Sequence, residues 1–225
     1  MRLNKLIAKH QNCTRKEADN LIKNGLVTVN GRVVFKMGIT VKKEDEIIFN
    51  KKVIKYHQKH YILLNKPKKY SCFNINSHTK KLLPKIYLNE LDNYEQLDFN
   101  ETGLTIFSND NSLLDKIKRS QRIKKIYHIK LTEIISKEIL KEILKEIQNH
   151  KQVRINKISF VKEKNEIGIE LTKGNIKNLK NIFNKMSLKI ICIDTVSIGV
   201  LSKKNLPRNK TRLLTDEEIN ILNRS

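Results

Sequence analysis

The sequence predicts an α+β protein: a small helix–helix–hairpin domain followed by a mixed, mainly antiparallel sheet with flanking helices. Three observations predict it. Helical apolar stripes and two capping boxes are interspersed with short β-branched runs. The strand and helix segments do not alternate as regular βαβ units. Near the amino terminus, Asn30-Gly31 separates two apolar runs, the strongest short signal for a hairpin.

Leu3, Leu6 and Ile7 share one face of a first short helix. Thr14-Arg15-Lys16-Glu17 fits a capping box, in which the Thr14 hydroxyl caps a backbone N–H and Glu17 reaches back. Ala18, Leu21 and Ile22 carry the second helix to Asn24-Gly25, a pair suited to a left-handed cap. Leu26–Val29 and Arg32–Phe35 form the hairpin arms, and Glu46–Phe49 is a further strand closing a domain over residues 1–50. Residues 51–60 are polar and basic and read as a linker.

A second domain, 61–225, opens with the apolar strand Tyr61–Leu64, which ends in Asn65-Lys66-Pro67. Residues 68–93 are irregular and polar. Leu104–Phe107 and Ile126–Leu131 read as strands, with a short helix at Ser112–Lys118 between them. Ser136 caps a long helix whose stripe of Ile139, Leu140, Ile143, Leu144 and Ile147 is a core face. Strands follow at Lys157–Val161 and Glu166–Leu171, then a helix at Ile176–Phe183 and a strand at Ile190–Ser197. Thr215-Asp216-Glu217-Glu218 is the second capping box and opens the last helix. No fixed-period repeat is visible.

The chain has 225 residues, of which 39% are hydrophobic, enough for a sizeable core without disulfides or metals. Lys and Arg number 46 against 23 Asp and Glu, a formal net charge of +23. That surplus calls for a polyanionic partner, nucleic acid first, because each neutralised phosphate releases a condensed counterion. A membrane surface is the weaker candidate: no apolar run approaches the roughly 20 residues needed to span a bilayer. Cys13, Cys72 and Cys192 are scattered and lack CxxC spacing, which argues against a disulfide framework and a zinc site. With no signal-peptide core, the expectation is a reduced, cytoplasmic protein; a monomer holding no metal is expected as well. Nine of the basic residues are Arg and the rest Lys, and with abundant Ile and Asn this fits the drift of an AT-rich genome.

Arg2, Lys5, Lys9, Arg15, Lys16, Lys23 and Arg32 surround the first domain. From charge alone, an RNA-gripping face and an ordinary solvated face are equally good readings. The pattern Arg2-Leu3-x-x-Leu6, Thr14-Arg15-Lys16-Glu17-Ala18, Leu21-Ile22-x-x-Gly25-x-Val27-x-Val29-Asn30-Gly31 and Asp45-x-Ile47 resembles the alpha-L RNA-binding module shared with small-subunit ribosomal protein S-four. The resemblance implies that Arg2, Lys5, Arg15, Lys16 and Arg32 contact phosphates and sugars, reading RNA shape more than sequence.

In the second domain, Gln96-Leu97-Asp98-Phe99-Asn100-Glu101-Thr102-Gly103-Leu104 sets a carboxylate just before a turn into an apolar strand. On its own, such an Asp is an ordinary turn residue. In context it resembles the Arg-Leu-Asp-x-x-Thr/Ser-x-Gly-Leu signature of pseudouridine synthases of the RsuA and RluB type. Asn65-Lys66-Pro67, Lys125-Ile126-Tyr127 and the segment Gly174–Phe183 follow in the family's order. The resemblance implies cofactor-free isomerisation of a uridine flipped out of its stack. It makes Asp98 the essential carboxylate, as nucleophile or as base, and has Tyr127 stack on the uracil. Leu179 is then the apolar wall beside the base, and Lys180 stands where the family has the Arg that pairs with that Asp. An opposite charge there keeps Asp98 ionised. The same resemblance assigns Lys66, Gln96 and Lys125 to RNA contact.

The departures are Gln96 in place of Arg, Tyr70 where Gly is frequent, and Asn175, Ile176, Asn178 and Asn181 in the third segment. Two readings follow. One is a working synthase acting on ribosomal RNA, by expectation the large-subunit (23S-type) RNA or a pre-ribosomal particle. The other is a catalytically decayed RNA-binding or ribosome-assembly factor.

Overall fold

The computed structural model describes residues 1–42, 44–54, 59–72, 79, 81–84 and 91–225. The chain divides into two compact units, Met1–Gln58 and Lys59–Ser225.

In the first unit, α1 (Leu3–Gln11) ends on Asn12 in the left-handed conformation, and α2 (Arg15–Lys23) follows. The Thr14 box is present in both directions: the Glu17 N–H donates to the Thr14 hydroxyl, and the Thr14 N–H donates to the Glu17 carboxylate at 2.7 Å. These bonds from Thr14 hold the Glu17 carboxyl below its ordinary range. Strands β1 (Val27–Val29), β2 (Arg32–Val33), β3 (Ile47–Phe49) and β4 (Lys52–Ile54) form a sheet in the order β2-β1-β3-β4. Asn30 and Gly31 both have positive φ (51° and 77°), the geometry of a two-residue hairpin turn whose twist matches its strands. The Asn30 side chain donates to Asp45 and accepts from the Glu46 N–H, which ties the turn to the start of β3. Leu3, Leu6, Ile7, Ala18, Ile22, Val27, Ile47 and Ile54 make the core.

Two expectations change here. The second hairpin arm is strand only at Arg32–Val33. The stretch expected as a linker contributes β4, because Ile54 pairs with Ile47 and is buried; residues 55–58 of that stretch lie outside the described residues.

The second unit holds a sheet built from β5 (Tyr61–Lys66), β6 (Asp92–Asn93), β7 (Thr102–Ser108), β8 (Lys125–Leu131), β9 (Arg154–Phe160), β10 (Glu166–Lys173), β11 (Ile190–Ile198), β12 (Leu201–Ser202) and β13 (Thr211–Leu213). The order is β13-β5-β7-β11-β8-β10-β9, with β6 on β7 and β12 on β11. Among the described residues β7 and β11 pair parallel and every other pair is antiparallel. The helices are α3 (Asn111–Arg119), α4 (Lys137–Asn149), α5 (Ile176–Lys185) and α6 (Asp216–Arg224). The short strands β6, β12 and β13 were not expected; they are too short and polar to show a period. Part of the polar stretch 68–93 lies outside the described residues.

Successive side chains of a strand face opposite ways, and β5 shows it: Ile62 and Leu64 enter one apolar cluster, Leu63 another. The first cluster is completed by Ile143 and Ile147 of α4 and Leu179 and Phe183 of α5. The second takes Leu113, Leu114 and Ile117 of α3 and Leu222 of α6. The sheet is therefore covered on both faces around β5 and β7, whose buried stretches are unbroken, whereas β8 and β10 alternate and bury one face.

Gly103 sits where β7 passes β11, opposite Thr195, with φ of 105°. A Cβ there would overlap the Thr195 backbone. Gly103→Ala is expected to cost about 3 kcal/mol or more, because left-handed strain and the backbone clash add. Gly31→Ala, in open space, is expected to cost only about 1–2 kcal/mol. Urea denaturation of the two variants checks this; equal losses would refute the close-approach argument. Thr14→Ala is expected to cost about 1 kcal/mol by the same measurement, as the lost cap leaves a helix donor without a partner.

Candidate active site

The candidate site gathers at the end of β5, the turn before β7, the start of β8 and the first turns of α5. Leu97 is fully buried, and its carbonyl accepts the Cys72 N–H at 2.7 Å, so the segment ahead of Asp98 is fixed. Asp98 is half-buried. Its Oδ1 accepts the Phe99 N–H at 2.7 Å, and its carbonyl accepts the Glu101 N–H at 3.1 Å. No described side chain bonds to the Asp98 carboxylate.

Glu101 closes the turn. One carboxylate oxygen accepts the Asp98 N–H at 2.8 Å, and the other pairs with Lys180 Nζ at 2.8 Å. Thr102 then donates to Asp194 on β11 at 2.6 Å. Burial works to raise the Asp194 carboxyl, yet bonds from Lys203 and Thr102 hold it below its ordinary range. Arg208 donates to Asp194 and to the Asn65 side chain, both at 2.9 Å, and to the Lys66 carbonyl at 3.2 Å. Through Arg208 and Asp194 the Asn65-Lys66-Pro67 end of β5 is tied to the head of β7.

Lys66 is fully buried, with its ammonium on the Pro67 and Tyr70 carbonyls. Burial pushes its pKa down to about 8, against the opposing charges of Cys72, Glu101 and Asp98. Lys125 is likewise buried, 5.5 Å over the Tyr94 ring, and bonds the Gly174 carbonyl at 3.4 Å. Burial lowers its pKa, and the Glu95 charge partly restores it.

Glu95 is 6% exposed. Both its oxygens lie 3.2 Å from the Tyr127 hydroxyl, which donates, and Oε1 also accepts the Ile176 N–H at 2.8 Å. Burial pushes its pKa up to about 7, despite the Ile176 N–H and the Lys125 charge. Ile176 is the first residue of α5, whose start is fixed by a reciprocal cap: Asn175 and Asn178 each accept the other's backbone N–H.

Several expectations are revised by this geometry. Lys180 is near the turn, but its partner is Glu101 and not Asp98. Tyr127 and Leu179 are both fully buried in the core, with the Tyr127 hydroxyl on Glu95 and no ring face open for stacking. Lys66 and Lys125, expected on RNA, point inward because each serves a backbone carbonyl and neighbouring carboxylates. Gln96 is exposed. In the first unit Arg2, Lys5, Arg15, Lys16 and Arg32 are all exposed, and none forms an ion pair with another described residue. Glu95, Glu101, Asp194 and Arg208 were not singled out from sequence. The only local signal for two of them was the spacing of Glu95 and Glu101, three residues to either side of Asp98.

Among the described residues no helix is long and apolar enough to cross a membrane. Residues 1–47 match the S4 domain family. The chain is similar to ribosomal large subunit pseudouridine synthase B of Bacillus subtilis, at 26% identity over 97% of this chain and 93% of that protein. It is similar to ribosomal small subunit pseudouridine synthase A of Vibrio vulnificus, at 26% identity over 97% of this chain and 98% of the relative. A crystal structure of a pseudouridylate synthase shares its fold, with a TM-score of 0.62 at 22% identity over 99% of both chains. The chain therefore carries an S4 domain and is similar over nearly all of its length to pseudouridine synthases of both ribosomal subunits.

Proposed function

We propose that this protein isomerises one uridine of large-subunit ribosomal RNA to pseudouridine, with Asp98 as the essential carboxylate. The observation that carries the reading is the Asp98 turn: a half-buried carboxylate with no side-chain partner among the described residues, flanked by Lys66 and by the Glu101–Lys180 pair. The similarity to both large- and small-subunit ribosomal enzymes supports ribosomal RNA as the substrate.

The reaction is redox-neutral. The N1–C1′ bond of the uridine breaks, the uracil turns, a C5–C1′ bond forms, and the C5 proton is lost while N1 gains one. Asp98 either attacks C1′ or removes the neighbouring ribose proton; in both routes it acts as the carboxylate. Reaching C1′ requires the nucleotide to leave its stack. Arg2, Lys5, Arg15, Lys16 and Arg32 of the first unit hold the folded RNA by its phosphates and sugars. Gln96, exposed two residues before Asp98, is assigned to RNA contact beside the flipped base.

The test is pseudouridine mapping by carbodiimide-based primer extension on RNA from cells with wild-type protein, Asp98→Asn or none. The expected result is that one large-subunit site disappears with Asp98→Asn while the purified variant still binds RNA. Retention of every site would overturn the activity; loss of a small-subunit site would overturn the choice of subunit alone. Arg15→Ala with Lys16→Ala is expected to weaken RNA binding about tenfold and to flatten its salt dependence by about 2 in log–log slope.

A further inference from the structure

We propose that Glu95 and Glu101 are a pair of positioning residues, a clamp that fastens the Asp98 turn to one face of α5 and holds Tyr127 and Lys180 in place. The proposal rests on the reading of Asp98 as the essential carboxylate. In the resembled signature the position of Glu101 carries Thr or Ser, so a carboxylate here is a feature of this chain.

The geometry is specific. Glu95 accepts the N–H of Ile176, and Glu101 pairs with Lys180. Ile176 and Lys180 are four residues apart on α5 and therefore lie on one face, one turn apart. The two glutamates thus grip successive turns of the same helix, and Asp98 lies midway between them in sequence. Each makes one more bond into the site. Glu101 takes the Asp98 N–H, so the position of Lys180 is transmitted to the Asp98 backbone. Glu95 takes the Tyr127 hydroxyl, so that ring cannot turn without losing a buried bond. With their neighbours held in this way, the Asp98 carboxylate keeps, among the described residues, only the bond from its own turn and is left for the ribose.

Glu95 is faced by Lys125 and Tyr127 from β8, by Tyr94 from its own segment, by the Ile176 N–H from α5 and by the charge of Glu101 from the turn. Burial brings its titration to about 7. The sign follows: above that pH Glu95 is a carboxylate with acceptors for both Ile176 and Tyr127. Below it, one oxygen carries a proton and the clamp loosens.

The experiment uses the full chain in two readouts. In activity, measured as tritium release from uridine-labelled transcript, Glu101→Gln is expected to lower kcat about tenfold with KM within about twofold. Lys180→Met and the double variant are expected to be equally impaired, because Glu101 acts through Lys180. Losses that multiply, or a Glu101→Gln enzyme with wild-type kcat, would overturn the proposal. Wild-type kcat is expected to fall as pH drops through about 7, and Glu95→Gln to remove that limb; an unchanged limb would overturn it. The second readout is independent of catalysis and of whether Glu95→Gln folds. The backbone amide of Ile176 in the wild-type protein is expected to titrate near pH 7 by NMR, and a pH-invariant amide would overturn the clamp. A titrating amide in a protein that makes no pseudouridine would leave the clamp standing and sink the reading of the reaction.

Discussion

The site depends on one close approach. β7 and β11 pair in parallel, and at Gly103 and Thr195 their backbones come so near that no side chain fits between them. That contact fixes where β7 begins. Everything just upstream is then forced into a turn, since the chain cannot continue along β11 in the same direction and also reach Leu97, whose carbonyl is held by Cys72. The turn is where Asp98 sits. Thr102, one residue before the glycine, adds its bond to Asp194, so the approach is secured by a hydrogen bond as well as by shape.

The second theme is buried charge. Lys66, Lys125, Glu95 and Glu101 are all buried, in a chain whose other charges are largely solvated. A lone buried ion is costly, and burying the pair does not by itself stabilise a fold. These four are tolerable because each has partners: Lys66 two carbonyls, Lys125 the Gly174 carbonyl and the Tyr94 ring, Glu95 a hydroxyl and an amide, Glu101 an amide and Lys180. Such an arrangement suits a place where orientation matters more than stability. The displaced titrations of Lys66 and Glu95 mark the same spot that the Asp98 motif marks from sequence.

What was legible in the sequence was local. Capping boxes at Thr14 and Thr215 and the Asn30-Gly31 turn are read from four or two residues, and the structure has them. The strand Lys52–Ile54 was not legible, since three residues beginning with a lysine show no alternation and its pairing with β3 makes it a strand. Asp98 was visible through a family signature and not through any physical pattern. Glu95 lies in a polar run with no period, and the partner of Glu101 is 79 positions away, so neither role is written locally. The partner assigned to Lys180 failed for the same reason. A motif carried over position by position supplies Asp98 as its mate, but a chain with a carboxylate at 101 offers a second one.

That substitution also changes how the eroded third segment reads. Asn175 and Asn178, which look like decay beside the family pattern, cap each other and so begin α5 at Ile176. Asn178 further bonds Gln152 at 3.1 Å. With the helix start fixed there, Ile176 presents its N–H to Glu95, and Lys180 comes round one turn later to Glu101. The caps that begin α5 and the carboxylates at positions 95 and 101 thus belong to one connected set of bonds on that helix.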